Sequence, residues 1–362
     1  MATTAYDRDV ADTGSRPEQG GRRVSSEATP PPASRKATIR TVAAAAGVST
    51  ATVSRVMSGV STVSPALAQR VREVAEQLSY RPSEAARGLA LGGLRNIGVL
   101  MPDLGNAYFH DVVKGMHRAA ADTGFRLLIA DHAGDPANEF ATAWDLMGHV
   151  DGLALLSSRL DLPRLRDLAR QTVPVVLVNR VEPGVDLPMV GVDSFTATLE
   201  ICAHLAGLGH RRVVYVSGSE LAWQDRERWR AVRTSGRVLG IDAARVEAEG
   251  TLETGYAAVD AALAHEPTAL VCFNDLAAIG VISRLRELGL DVPGDISVTG
   301  FDDIAIGSHV SPTLTTASSP RDALGRQAWQ LLQEALEKAN PSETTTLLTA
   351  TLITRESSGP AR

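Results

Sequence analysis

Five short apolar runs in this chain are each followed by polar and aromatic side chains that could grip a ligand. After IGVLM (97–101) come Asn106, Tyr108 and Phe109, and after VVLV (175–178) come Asn179 and Arg180. Past VVYVSG (213–218) lie Trp223, Gln224 and Asp225, then the basic run Arg226, Arg228 and Arg230. ALVCF (269–273) leads into Asn274-Asp275, and ISVTGF (296–301) into Asp302-Asp303. Aromatic faces with carboxylate, amide and guanidinium groups suit a polyhydroxylated ligand. Rings pack on its C–H faces while the polar groups make directional bonds in an enclosed site. An Asn or Asp after a strand also serves as a turn former or helix cap, so Asn274 and Asp275 carry both readings. Arg226 and Arg230 read as a solvated helix face, leaving Arg228 as the better candidate contact. No Ser/His/Asp or Cys/His set has neighbours that suggest a nucleophile. His210, in LGHRR (208–212), reads as a packed structural residue.

A different chemistry is written near the start, in TIRTVAAAAGVSTATVSRVMSG (38–59). Val42, Ala45, Ala46, Val48, Val53 and Val56 recur at helical spacing, which predicts two short helices with facing apolar surfaces. Gly47 falls where the first must stop and the chain reverse, since a residue without Cβ tolerates positive φ. Ser49 is placed to cap the second, whose polar face carries Thr50, Ala51, Thr52, Ser54 and Arg55. This is the pattern of a helix-turn-helix whose second helix is small-sided enough to enter a major groove. Taken alone, it also fits an ordinary αα-hairpin in a larger core. Within a groove, Thr50, Ala51 and Arg55 are the base-reading candidates, Arg matching guanine O6 and N7. Thr38, Ser49, Thr52 and Ser54 are better placed for phosphate oxygens, which fix register.

The elements that must hold these groups divide into several domains, as 362 residues exceed one ordinary core. Residues 1–34, rich in Ser, Thr, Pro and charge, read as a disordered tail. Ser64-Pro65 starts a third helix with an apolar stripe of Leu67, Val71, Val74, Ala75 and Leu78, so 35–81 reads as an all-α headpiece. SEAARGLALGG (83–93) is a poor helix alone, and 82–95 reads as either a plain linker or a segment that folds on contact with a partner. From 96 to 356, apolar strands alternate with helices such as 111–123, which predicts an α/β core of two parallel-sheet subdomains. A helix near 321–338 and one last strand near TLLTATLITRES close it, leaving 357–362 as a C-terminal tail. No GxGxxG or GxxxxGK[ST] is present, so dinucleotide and P-loop readings lack their residues.

Charge is uneven. Residues 35–95 hold nine Lys/Arg against three Asp/Glu, whereas 96–362 hold 23 against 34. A basic segment on an acidic body predicts that only the former meets a polyanion. Cys202 and Cys272 share no metal-ligand or CxxC spacing and read as small core residues in a reducing compartment. No run is long and apolar enough to span a bilayer and no signal peptide is visible, so a cytoplasmic protein without metal or cofactor is expected.

The runs VSTATVSRVMSG, VSPALAQRVREVAEQLSYRPSEAARGLA and NIGVLMPDLGNAYF together resemble the lactose/galactose repressor (LacI/GalR) family. The resemblance extends from residue 38 to about 356 and implies a periplasmic-binding-protein-like core with a ligand in its cleft. It implies effector contacts at Asn106, Tyr108, Phe109, Asn179, Arg180, Arg228, Asn274 and Asp302, and a sugar as effector. It further implies a hinge helix in which Leu89 wedges into the minor groove and Ala86 lets two hinge helices approach. In this family, Thr50 and Ala51 occupy the positions that largely choose the operator. Three departures stand out: Thr41 for a usual Asp, Asn179 for a frequent Asp, and Ser319 for a Gln. The expected function is a DNA-binding transcriptional regulator, a homodimeric repressor on a pseudo-palindromic duplex. The alternatives are a sugar-binding protein of the same fold without a regulatory role, and an α/β enzyme with an appended DNA-binding domain.

Overall fold

The computed structural model describes residues 37–58, 63–80, 93–338 and 344–362. Two compact units divide between Pro82 and Ser83. In the first, α1 (Ile39–Ala46), α2 (Thr50–Met57) and α3 (Pro65–Gln77) pack around Val42, Ala43, Ala46, Val53, Val56, Ala68, Val71 and Ala75. Two details correct the periodicity. Ala45 is exposed and Ala43 takes its place, because the buried arc of α1 is set by positions 42, 43 and 46. Leu78 is likewise exposed, and Ala68 supplies the contact instead.

The second unit contains two lobes. Six parallel strands form the first sheet, in the order β11-β5-β4-β3-β1-β2. These are β1 (Asn96–Met101), β2 (Arg126–Asp131), β3 (Gly152–Leu156), β4 (Val175–Val178), β5 (Met189–Val192) and β11 (Thr345–Leu348). The second sheet, β7-β6-β8-β9, is also parallel: β6 (Arg212–Val216), β7 (Asp242–Val246), β8 (Ala269–Cys272) and β9 (Ser297–Thr299). Strands β1, β3, β4 and β8 are buried along their whole length, as strands with helices on both faces must be. Their near-continuous apolar runs are why they were readable; β7, with the pattern DAARV, carried no such signal.

Helices fill the crossovers. In the first lobe these are α4 (Ala107–Asp122), α5 (Pro136–Met147) and α6 (Leu162–Ala169), with α12 (Arg321–Glu337) packed on α4, β4 and β5. In the second they are α7 (Ser194–Gly207), α8 (Trp223–Leu239), α9 (Leu252–Ala257), α10 (Val259–Leu263) and α11 (Asp275–Glu287). Helix α4 starts four residues before the expected 111, because the Asn106 side chain accepts from the Tyr108 amide and caps it there. The single last strand is in fact two. β11 joins the first sheet beside β5, while β12 (Thr351–Ile353) pairs antiparallel with β10 (Thr316–Ser318) in the second lobe. The chain therefore passes between lobes three times: near Asp193, at Ser319-Pro320 and at Thr349-Ala350. Residues 357–362 are no free tail. Ser357 exchanges backbone bonds with Val298 and Thr313, and the Ala361 amide donates to the Leu208 carbonyl.

Candidate functional site

Two places carry the chemistry, one in each unit. In the helical unit, Thr38 and Thr41 form a reciprocal capping box: the Thr38 amide donates to Thr41 Oγ1 at 2.8 Å, and the Thr41 amide to Thr38 Oγ1 at 3.3 Å. Threonine at position 41 thus does the capping that a carboxylate would do, and the helix start is preserved. Gly47 ends α1 in the left-handed region, at φ 65°. Ser49 then caps α2 through the Thr52 amide at 3.1 Å. Thr50, Ala51 and Arg55 stand exposed on α2, with Thr52 and Ser54 half-buried beside them. Ala86 and Leu89 lie outside the described residues.

In the two-lobed unit a cleft of about 650 Å³ opens between the carboxyl ends of both sheets. Seven of the eight expected effector residues line it: Asn106, Tyr108, Phe109, Asn179, Arg228, Asn274 and Asp302. They come from the cap and first turn of α4 after β1, from the loops after β4, β8 and β9, and from the N-terminal half of α8, where parallel sheets gather ligands. Arg180 is the exception. It is buried, its Nη1 donates to the carbonyls of Ser158 and Leu160 at 2.9 and 2.7 Å, and its other arm pairs with Glu182. It holds the β3 and β4 ends together and does not line the cleft.

Arg228 and Asp302 form the centre of the second lobe's wall. The guanidinium lies 3.6 Å from Asp302 Oδ1, above the Phe301 ring at 3.6 Å and the Phe273 ring at 4.7 Å. It also donates to the Phe273 carbonyl, yet its buried Nε has no partner. Burial pushes the Asp302 carboxyl up to about 6, against the pull of Arg228 and Arg321. The pair presents a donor and an acceptor side by side. Behind it, Asp275 is fully buried and pushed up to about 8, by burial first and then by Asp302. It does not line the cleft; it accepts from Thr316 Oγ1 at 2.6 Å and the Ile304 amide at 2.8 Å, fixing the loop that carries Asp302. Asn274 combines both of its readings: it caps α11, donates to the Gly250 carbonyl at 2.8 Å, and faces the cleft.

Backbone strain collects at this cleft. Ser157, Asn179 and Asp302 have φ of 49°, 58° and 108°, unfavourable for residues with a Cβ and held there by the surrounding bonds. Sequence reasoning left out Ser157, Arg159, Glu249 and Phe273 as lining residues, and named Gln224 at its strand end without placing it among the effector contacts. Gln224 begins in the second lobe and reaches the first: its amide donates to Ser157 Oγ at 2.9 Å and to the Asn179 carbonyl. Its place beside Trp223 at a strand end was the available signal. Ser319 is buried, its amide donating to the Asp302 carbonyl at 3.5 Å. Arg226 and Arg230 are exposed on α8, the first within 4.0 Å of Glu182 after β4 and the second paired with Glu227 of its own helix, and His210 is packed between Thr268 and the Gly359 carbonyl. Cys202 and Cys272 are buried thiols, and burial holds Cys202 up at about 11. Among the described residues no group of three His, Cys, Asp or Glu could hold a metal ion, and no helix is long and apolar enough to cross a membrane.

Residues 38–83 match the family described as bacterial regulatory proteins, lacI family, and 202–358 match a periplasmic binding protein-like domain. The chain is 33% identical over 328 residues to the HTH-type transcriptional repressor CytR of Escherichia coli K12, covering 89% of this chain and 96% of that protein. The chain belongs to the LacI family. Another relative, the ribose operon repressor of Escherichia coli K12, is 31% identical, covering 89% of this chain and 99% of its own. A lac repressor dimer bound to operator and the anti-inducer ONPF superimposes with a TM-score of 0.79 at 25% identity, covering 90% of this chain and all of that one. As a LacI-family member the chain is a DNA-binding transcriptional regulator and not an enzyme, which closes both alternatives that its sequence left open.

Proposed function

We propose that this regulator is a cytoplasmic repressor whose grip on a pseudo-palindromic duplex is set by a sugar held between its lobes. The observation that carries the reading is the Arg228–Asp302 pair, flanked by Phe273 and Asn274 in an interlobe cleft. A guanidinium beside a carboxylate can bond two neighbouring hydroxyls at once, and aromatic faces accept the C–H side of a sugar ring. The ribose operon repressor among its relatives and the lac repressor neighbour favour this ligand class. A homodimer would present two headpieces to two half-sites, with Thr50, Ala51 and Arg55 reading bases and Thr38, Ser49, Thr52 and Ser54 at phosphates. A ligand that changes the interlobe angle would shift the spacing of the headpieces. A discrimination of about 1–3 kcal/mol between the two arrangements is enough for a useful switch.

Selection from a random duplex pool should enrich a palindrome, and one sugar or nucleoside in a thermal-shift panel should both stabilise the protein and change its affinity for that palindrome. Arg228→Ala or Asp302→Ala should abolish the ligand response while the protein stays folded; a retained response removes them from the site. Enrichment of no duplex sinks the reading. Within it, Leu89→Ala should weaken duplex binding and leave ligand affinity unchanged, and equal duplex affinity would dismiss the wedge.

A further inference from the structure

Two side chains cross from one lobe to the other, and each ends on the same kind of target. Gln224, in the first turn of α8 in the second lobe, donates to the Asn179 carbonyl and to Ser157 Oγ in the first. Arg321, the first residue of α12 on the first lobe, donates from Nη1 to the Asp302 carbonyl in the second. Its Nε donates to Asp111 Oδ2 of α4 at 3.1 Å, so one guanidinium ties both lobes. Asn179 and Asp302 both line the cleft, and both have positive φ, 58° and 108°. Each lobe's strained cleft residue is therefore held by a side chain that belongs to the other lobe.

Both bonds lie beside the passages that join the lobes. Arg321 directly follows Ser319-Pro320, and the Asp302 carbonyl also accepts from the Ser319 amide. Trp223, next to Gln224, rests near Gly191: a Cβ added there would lie 3.7 Å from its ring and 3.2 Å from Leu347. Gly191 and Leu347 stand just before the passages near Asp193 and at Thr349-Ala350. A rotation of one lobe against the other moves each donor away from its acceptor. Water would make good little of the loss, because Gln224 is 3% exposed and the Arg321 side chain 15%. Gln224 lines the cleft, whereas Arg321 does not and reaches it only through Asp302.

We propose that Gln224 and Arg321 are interlobe clamps that fix the angle between the lobes, and that both bias the balance on which duplex binding depends. The second half rests on the regulatory reading above; the first stands without it. The test uses the full chain with Leu104→Cys and Leu221→Cys, exposed on the cleft rims of the two lobes, as spin-label sites, since Cys202 and Cys272 are buried. Labelled protein is diluted with unlabelled, and the distance between the two labels is read by pulsed electron resonance. Gln224→Met and Arg321→Met, which keep a long stem and remove the donors, should each shift or broaden that distance. On the selected palindrome each should change duplex affinity about fivefold or more, both in the same direction, with Arg321→Lys in between. A merely structural role would lower the melting temperature and leave distance and duplex affinity as they were. An unchanged distance in either variant overturns the clamps, and unchanged or opposed shifts in duplex affinity overturn their shared role. Should Arg321→Met fail to fold, Gln224→Met and Arg321→Lys decide. Enrichment of no duplex removes the regulatory reading and leaves the label distances to judge the clamps alone.

Discussion

At the scale of single residues, the cleft works by placing ionisable groups where burial and neighbours disagree. Asp275 keeps its proton to about pH 8, whereas an unfolded chain loses it near 4. Because the folded state then binds more protons than the unfolded one, stability falls as pH rises through that window. Asp302, pushed up to about 6, adds a drop with the same sign that is complete by then. Buried His132 is held down at about 4, so its effect has the opposite sign and ends near the ordinary histidine value of about 6.5. Asp275→Asn should therefore flatten part of the decline of melting temperature as pH rises toward 8; an unchanged slope would show that Asp275 is already ionised. The sequence named Asp275 only as a strand-end carboxylate with a possible capping role. Nothing in Asn-Asp-Leu says that the first residue lines a cleft and the second is sealed behind it, because that depends on Thr316 and Ile304, which come from another part of the chain. Arg180 was misplaced for the same reason: a guanidinium after a strand points to a ligand or into the wall according to carbonyls 20 residues earlier.

At the scale of elements, one crossing is unusually close. α4 and α12 meet at Gly115 and Gly325, each against the other helix's backbone: Gly115 at the Asp322 carbonyl and Gly325 at the Val112 carbonyl. A methyl group at Gly325 would overlap the Val112 oxygen, with no side chain there to move aside. Gly325→Ala should cost about 1–3 kcal/mol or more, read as a loss of denaturation midpoint without a change in the fold. A neutral outcome would show that the two helices can separate freely. Elements with one strong local signal were legible: β4 in VVLV, α12 from its apolar stripe, and the turn at Gly47 from the one residue type that tolerates φ 65°. Those whose pattern is set by partners were not. β11 and β12 read as one strand because only the partners they join, β5 far back in the chain and β10 in the other lobe, require the break at Thr349-Ala350.

For the whole molecule, the uneven charge makes a quantitative demand. The excess of six positive charges in residues 35–95 sits on a body with a deficit of eleven, so binding to a duplex should be carried by the small basic part alone. With six or more phosphates neutralised, affinity should fall about a thousandfold or more between roughly 50 and 200 mM salt, measured by anisotropy on the selected palindrome. A flat salt response would mean that phosphate contacts are not what holds it. The three passages between lobes have a consequence of their own. The first and third are bonded to each other, the Asp193 amide to the Leu348 carbonyl, and Ser318 pairs with Asp302 where the second begins. Three short covalent links between two lobes would resist shear and twist more than bending, so on the proposed reading opening and closing is the motion left to a ligand. On that reading, whatever shape a ligand has, its arrival would be compressed into one scalar, the aperture of the jaw, and severing any one link would leave that coordinate guided by the other two.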